Sequence, residues 1–453
     1  MNDSNHRLQR KLGLFPVTNI VIANIIGAGI FTTTGYLMGF LGNAMIMLAL
    51  WVIGGMIALC GAIAFGELGA AYPEAGGEYV FISKLFNPLL GFLSGWLSLI
   101  VGFSAPIAAS AIGFSDYFTW AFPNLQNWLM LNGVISGQSF SRILAIALIL
   151  IFSVIHSRGV VLGARVQNIL TLLKIVLVAG LIIAGFTVGE GSFSHLENRE
   201  MLSFDFENWK SIGLSLMFIM FAYSGWNSAT YIGSEIRNPG KVIPRSLLIS
   251  TLVVTVLYVL LNLFFVYAIP VDQMKNEPEI GGLAAGFAFG ATAEVIVSLL
   301  ISFALFSSLS AFILLGPRVY YKMALDGYFF KSIAAIHLRR KVPSNAIYLQ
   351  AAIAIILVLS GTFEEILTYM GFSLGIFPLL AVAGVFKLRK QRKSHLKLPG
   401  FPLIHIFFIG TNIAILVLAY FQRPVESTIA VITALSGVPV YYWFRFRKRI
   451  QNS

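Results

Sequence analysis

Two of the long apolar runs in this chain are interrupted by glycine, the first at Gly27-Ala28-Gly29-Ile30-Phe31 and the sixth at Phe221-Ala222-Tyr223-Ser224-Gly225-Trp226. In hydrocarbon every backbone amide and carbonyl needs a partner within the protein, so a broken helix at membrane depth is tolerated only where it is covered or lines a cavity. Paired breaks at equivalent places in two halves of a membrane protein point to a binding site near the bilayer midplane. The expectation is a secondary transporter.

Composition supports the membrane. Apolar residues make up 57% of the 453 and charged residues only 11%, more apolar than a soluble domain needs to fill one core. The net charge of +12 comes from short Lys/Arg clusters between apolar runs, not from a basic face interleaved with aromatics, which argues against a nucleic-acid partner and for membrane lipid. With about 20 residues needed to cross the hydrocarbon, twelve spans are predicted. They are Leu14–Phe40, Ala44–Ala71, Pro88–Phe114, Phe140–Ser157, Ala164–Val188, Ile212–Gly233, Leu247–Ile269, Ala293–Tyr320, Ser344–Ser360, Ile366–Phe386, Pro402–Phe421 and Ser427–Phe444. The basic start Arg7, Arg10, Lys11 leads into an apolar stretch without a small-residue cleavage site, so it reads as a retained first span.

A cytoplasmic N-terminus assigns 25 of the 31 Lys and Arg to the cytoplasm. Arg142, Arg199, Lys210, Lys275 and Arg423 are left outside, while acids gather in the outer loops Glu190–Glu207 and Asp272–Glu279. The first and sixth spans then begin on opposite sides, so residues 14–188 and 212–386 form two five-helix units related by a pseudo-two-fold axis in the membrane plane. The rest is a cytoplasmic arm (1–13), an outer loop (189–211), a basic cytoplasmic loop (387–401), two appended spans (402–444) and a basic tail (445–453).

The breaks have opposite chemistry. The first frees amides near Gly27, Ala28 and Gly29 at the N-terminus of a half-helix expected to begin near Ile30, a donor cluster with partial positive charge that suits a carboxylate. The second releases the carbonyls of Phe221, Ala222 and Ser224 at a helix C-terminus, which suits an ammonium. Together they complement an amino acid zwitterion. The candidate substrate site is Ile26, Gly27, Ala28, Gly29 and Ile30 with Phe221, Ala222, Tyr223, Ser224, Gly225, Trp226 and Asn227. The aromatics either cover a substrate or pack. Asn24, Ser224 and Asn227 are polar groups at membrane depth that need partners. Gly35 and Gly39 read as close helix packing.

Lys174 is the one basic residue deep inside a span, about 15 Å along the fifth from Ala164 and so near the midplane. Such an ammonium needs oxygen partners inside the bundle, and Ser307, Ser308 and Ser310 on the eighth span are candidates. It could act as a fixed cation in place of sodium or lose its proton during the cycle. Glu67 and Glu235, near the cytoplasmic ends of their spans, read as caps or loop salt bridges. No acidic residue is expected deep in the pocket, which argues against cationic substrates. The six histidines are scattered, and no metal spacing, phosphate loop, nucleophile motif or carboxylate pair is visible; neither an enzyme nor a cofactor is expected. The single cysteine, Cys60, lies within the second run, so no disulfide-linked partner is expected.

At these residues the sequence resembles the amino acid, polyamine and organocation (APC) transporter superfamily, and within it the bacterial relatives of the L-type amino acid transporters. The resemblance rests on Gly27-Ala28-Gly29-Ile30-Phe31, on Gly66-Glu67-Leu68 through Tyr72-Pro73-Glu74-Ala75-Gly76-Gly77-Glu78-Tyr79, and on Phe221 to Asn227 running on to Glu235-Ile236-Arg237-Asn238-Pro239. It implies an all-α membrane protein with a LeuT-type five-plus-five inverted repeat and two extra C-terminal helices. It also implies sodium-independent amino acid transport by alternating access, with the first-span glycines on the carboxylate, the sixth-span backbone on the amino group, a gate at Phe221 and Lys174 at the sodium position. Ala28 replaces a serine common in L-type members, which leaves only backbone donors there. The animal members join a single-span partner through an outer-loop cysteine, which Cys60 does not match. The resulting expectation is a plasma-membrane carrier of neutral amino acids, as exchanger or proton-linked carrier. Its alternatives are a polyamine or cationic amino acid antiporter on the same fold and a non-transporting sensor.

Overall fold

The computed structural model describes the chain apart from residues 1–7, 9, 123–135, 198–204, 337–341, 361–362, 395 and 453. Arg7, Arg199, His6, His337 and His395 thus lie outside the described residues. Almost every apolar run closes its backbone hydrogen bonds locally as helix. In order these are α1 (Leu14–Ile25), α2 (Ala28–Leu41), α3 (Ala44–Ala71), α4 (Glu78–Leu85), α5 (Pro88–Leu97), α6 (Ser104–Ala121), α7 (Gly137–Ser157), α8 (Val160–Thr187) and α9 (Phe206–Ala222). There follow α10 (Pro239–Ala268), α11 (Ile280–Phe289), α12 (Ala291–Leu315), α13 (Pro317–Leu325), α14 (Ser344–Ser360), α15 (Phe363–Lys390), α16 (Leu403–Gln422) and α17 (Pro424–Asn452). Among the described residues no strand forms beyond two isolated bridges, Leu12 with Ile236 and Ala75 with Ile232.

Among the described residues ten helical segments are long and apolar enough to cross a bilayer. Two of the predicted spans fall short of that standard. The ninth is the 17-residue helix α14. The sixth is the 17-residue helix α9 followed by non-α chain. Its inner half was expected to stay helical to Gly233 but consists of short 3₁₀ turns at Ser228–Tyr231 and Gly233–Glu235, because Gly225 adopts φ +103 and ends the right-handed path. Helix α9 also starts earlier than Ile212, where Asp205 caps it by accepting from the Asn208 amide at 2.8 Å. The third span runs on past Phe114 to Ala121 through a π-helical turn at Ser98–Phe103. In the first span only Ile26 and Gly27 leave the helix, so α2 starts at Ala28, two residues before Ile30.

The broken spans lie inside the bundle. Helix α1 packs on α8, α10 and α12, α9 packs on α2 and α16, and α3 lies along α10. Lipid-facing residues are apolar: Leu172, Leu173 and Val176 on α8 are each about 60% exposed while Lys174 between them is fully buried. At the N-terminal end of the bundle, the Lys11 and Leu12 amides donate to the Glu235 carbonyl and the Gly76 amide to the Tyr231 carbonyl, which tie the arm and the α3–α4 loop to the unwound chain. At the opposite end the Asn276 amide donates to the Gly35 carbonyl at 2.9 Å. Gly35 and Gly39 therefore admit the loop at 276–277, not a second helix as expected.

Two buried ion pairs tie elements together at the N-terminal end. Arg318 Nε donates to Glu235 Oε1 at 2.8 Å with both side chains 2% exposed. Arg389 donates to Glu67 from Nε (2.8 Å) and Nη2 (2.5 Å), and Ser394 Oγ adds a third donor. These glutamates were expected near water; the structure buries them because the loops fold back over the helix ends. Removing one partner of such a pair leaves an uncompensated charge, which costs about 3–5 kcal/mol. Arg318→Ala is expected to lower the thermal unfolding temperature in detergent sharply, and Arg318→Met with Glu235→Leu to lower it less.

Candidate functional site: the crossing of two broken helices

The breaks touch. A methyl group added at Gly225 would lie 2.5 Å from Asn24 Oδ1, and one at Gly29 would lie 2.8 Å from Ala222 Cα. Only glycine lets the two backbones approach this closely at both points. The exposed end of α1 is capped from two sides. Lys174 Nζ donates to Ser308 Oγ at 2.7 Å, to the Ala23 carbonyl at 3.3 Å and to the Ile26 carbonyl, which also accepts from Ser308 Oγ at 2.8 Å. From the other side the Tyr258 hydroxyl, on α10, lies 2.8 Å from the Ile25 carbonyl and 3.1 Å from the Ala222 carbonyl, so one phenol spans both breaks.

Of the three serines offered as partners for Lys174, only Ser308 reaches it. Each residue along a helix turns the side chain by about 100°. Ser307 consequently faces Gln167 (3.0 Å) and Thr171 (3.4 Å), and Ser310 faces His156 Nε2 (2.8 Å). Tyr258 was missed, since a tyrosine in an apolar run carries no local sign of what its hydroxyl meets.

A cleft enclosing about 970 Å³ of space, part of it open to solvent, lies against the second break. Phe221, Ser224, Gly225, Trp226 and Asn227 line it, and so do Asn24, Ser94, Ser98 and Tyr231. Tyr223 does not: its ring packs on Trp51 and Tyr258, and its hydroxyl donates to the Trp51 carbonyl at 3.1 Å. Ile26, Gly27, Ala28, Gly29 and Ile30 are also outside the cleft wall, because Ala222 and the Phe221 ring cover Gly29. The expected acceptor set is likewise smaller than drawn: the Phe221 carbonyl already accepts from the Ser224 amide at 2.8 Å, and Ala222's takes the Tyr258 hydroxyl.

Two polar groups on the wall lack partners within the protein, Asn24 Nδ2 and Ser94 Oγ. An acid lines the wall as well, contrary to expectation. Glu78 comes from α4, a loop helix that the sequence placed outside the pocket and that folds back beneath the bundle. Its Oε1 accepts from Asn227 Nδ2 at 2.7 Å and from the Tyr231 hydroxyl at 3.2 Å.

Loss of the Tyr258 hydroxyl leaves the Ile25 and Ala222 carbonyls without that donor, at about 1–3 kcal/mol for a buried unsatisfied group. Tyr258→Phe is expected to fold with a lower thermal midpoint in detergent, and unchanged stability would contradict this bridging role.

The proteins this chain is similar to are amino acid transporters. A family model described as amino acid permease matches residues 12–444. The serine/threonine exchanger SteT of Bacillus subtilis is 27% identical, covering 99% of this chain and 100% of its own. The b(0,+)-type amino acid transporter 1 of Mus musculus is 28% identical over 97% of this chain and 89% of its own. The large neutral amino acids transporter small subunit 2 of Homo sapiens is 28% identical over 96% of this chain and 80% of its own. With ten helical segments fit to span a bilayer among its described residues and two broken helices in contact, the chain belongs to the amino acid permease family of the APC transporter superfamily.

Proposed function

We propose that the protein is a sodium-independent exchanger of small neutral amino acids, working by alternating access on a twelve-span, five-plus-five inverted-repeat scaffold in the plasma membrane with both termini cytoplasmic. The observation that carries this reading is the contact between the breaks, which sets the N-terminus of α2 beside the C-terminus of α9. Opposite helix ends side by side favour a carboxylate and an ammonium respectively, without net protein charge in the bilayer.

Sodium is unnecessary on this account because Lys174 occupies the oxygen cluster of Ala23, Ile26 and Ser308 that a cation would otherwise hold. Phe221 over Gly29 is the gate: the ring separates the cleft from the first-span amides, so the carboxylate reaches them when it swings aside. The hydroxyl and amide groups of Asn24, Ser94, Ser98, Ser224 and Asn227 favour a short polar side chain, in keeping with the serine/threonine exchanger among the relatives. Glu78 is engaged by Asn227 and Tyr231, which weakens the case for a cationic side chain against it.

Counterflow in proteoliposomes tests this. Unlabelled serine, threonine or alanine inside is expected to drive uptake of labelled serine equally with and without sodium, and arginine and putrescine to drive little. Uptake driven by putrescine alone, or binding without counterflow, would overturn the assignment. Lys174→Ala is expected to cut the exchange rate at least tenfold, about 1.4 kcal/mol or more of barrier, while the protein stays monodisperse; wild-type exchange by this variant would reduce Lys174 to a structural cation.

A further inference from the structure

Among the described residues three glutamates are almost wholly buried, Glu67, Glu78 and Glu235. Two of them face arginine, Glu67 with Arg389 and Glu235 with Arg318. Glu78 has no basic group within ion-pair distance among the described residues, and the basic side chains of neighbouring elements are engaged elsewhere. On its own helix Lys84 pairs with Glu74. On α13, Lys322 pairs with Glu74 and Asp326, and Arg318 with Glu235. On α15, Lys387 lies over the Phe86 ring. Helix α5 carries no charge, and of the titratable groups on the unwound sixth span Tyr231 bonds Glu78 while Glu235 faces Arg318.

A carboxylate buried without a counter-ion either takes up a proton or is held by hydrogen bonds to its ionised form. Glu78 meets both influences. Burial pushes its pKa up to about 7, against the opposing pull of the Tyr231 and Asn227 hydrogen bonds. Both donors stand on the unwound half of the sixth span, and all three residues line the cleft.

We propose that Glu78 is a proton-binding, positioning residue whose ionisation fixes the unwound half of the sixth span and thereby sets the transport rate. When ionised, Oε1 receives two charge-assisted bonds, which pin Asn227 and Tyr231 against α4. A proton taken from water in the cleft onto the carboxylate leaves a neutral acceptor, roughly half as strong, and frees the segment to move. The proton returns to water when the segment closes again. Exchange needs that segment to move in each half-cycle, so it is slowest when Glu78 is charged.

The inference rests on the transport reading above, and two measurements keep them apart. Serine counterflow with equal pH on both sides is expected to fall at least threefold between about pH 6 and pH 8 in the wild type, as the ionised fraction rises from about one tenth to about nine tenths. Glu78→Gln keeps the acceptor oxygen and cannot ionise, so it is expected to run at the acid-limb rate across the range. Tyr231→Phe removes a donor to the ionised form and is expected to move the midpoint to higher pH. Independently of transport, infrared difference spectra are expected to show a protonated-carboxyl band that titrates near pH 7 in the wild type and is missing in Glu78→Gln. A Glu78→Gln profile that follows the wild type, or the absence of such a band, overturns the proposal. A wild type that exchanges no amino acid defeats the transport reading, while the infrared band still decides the state of Glu78.

Discussion

The structure depends on how backbone groups are satisfied where two helices stop in the middle of the bundle. A broken helix in hydrocarbon exposes donors at one end and acceptors at the other, and each unmatched group costs several kcal/mol. Here the two ends meet, and three buried side chains close them. Lys174 and Ser308 close the Ile26 carbonyl, and Tyr258 joins Ile25 to Ala222. These bonds bring together five helices, so the position of the first break is fixed by α8, α9, α10 and α12 as well as by its own chain. A hydroxyl and an ammonium, each able to turn, stand at the breaks.

Much of this was legible in the sequence. The breaks, the midplane lysine and the family were visible because each departs from a uniform apolar background: glycine pairs, one buried cation and three motifs in order. Features set by rotation about a helix axis were not. Nothing in Ser307-Ser308-Ser310 says which hydroxyl faces Lys174, and Tyr258 looks like any aromatic in an apolar run. Glu78 was hidden for another reason. It lies in a motif recognised at once, but its contact with Asn227 spans 149 residues and depends on α4 folding back under the bundle. The apolar run to Gly233 gives no sign that its second half leaves the α-helix, since that depends on the left-handed φ of Gly225, which redirects the chain.

The two ends of the molecule are built differently. At the N-terminal end, buried ion pairs and short backbone bridges hold the loops to the helix ends, and the cleft reaches toward that side as far as Glu78. At the other end, the loop at 276–277 sits against α2 and the Tyr117 hydroxyl donates to the Phe31 carbonyl at 2.7 Å. The molecule is thus closed on the side of the 276–277 loop, while the cleft opens toward the side of the N-terminal arm. Phe221 then marks the boundary between the open cleft and the amides of Gly27 to Ile30.

The central claim is that one dipolar solute is held by the two breaks together. A density map of the protein saturated with serine tests it most directly. The account predicts the carboxylate within hydrogen-bond reach of the amides of residues 27–30, the ammonium beside the carbonyls of residues 221–224, and the Phe221 ring displaced from Gly29. Serine bound elsewhere in the cleft, with Phe221 and Ala222 still packed over Gly29, would contradict it.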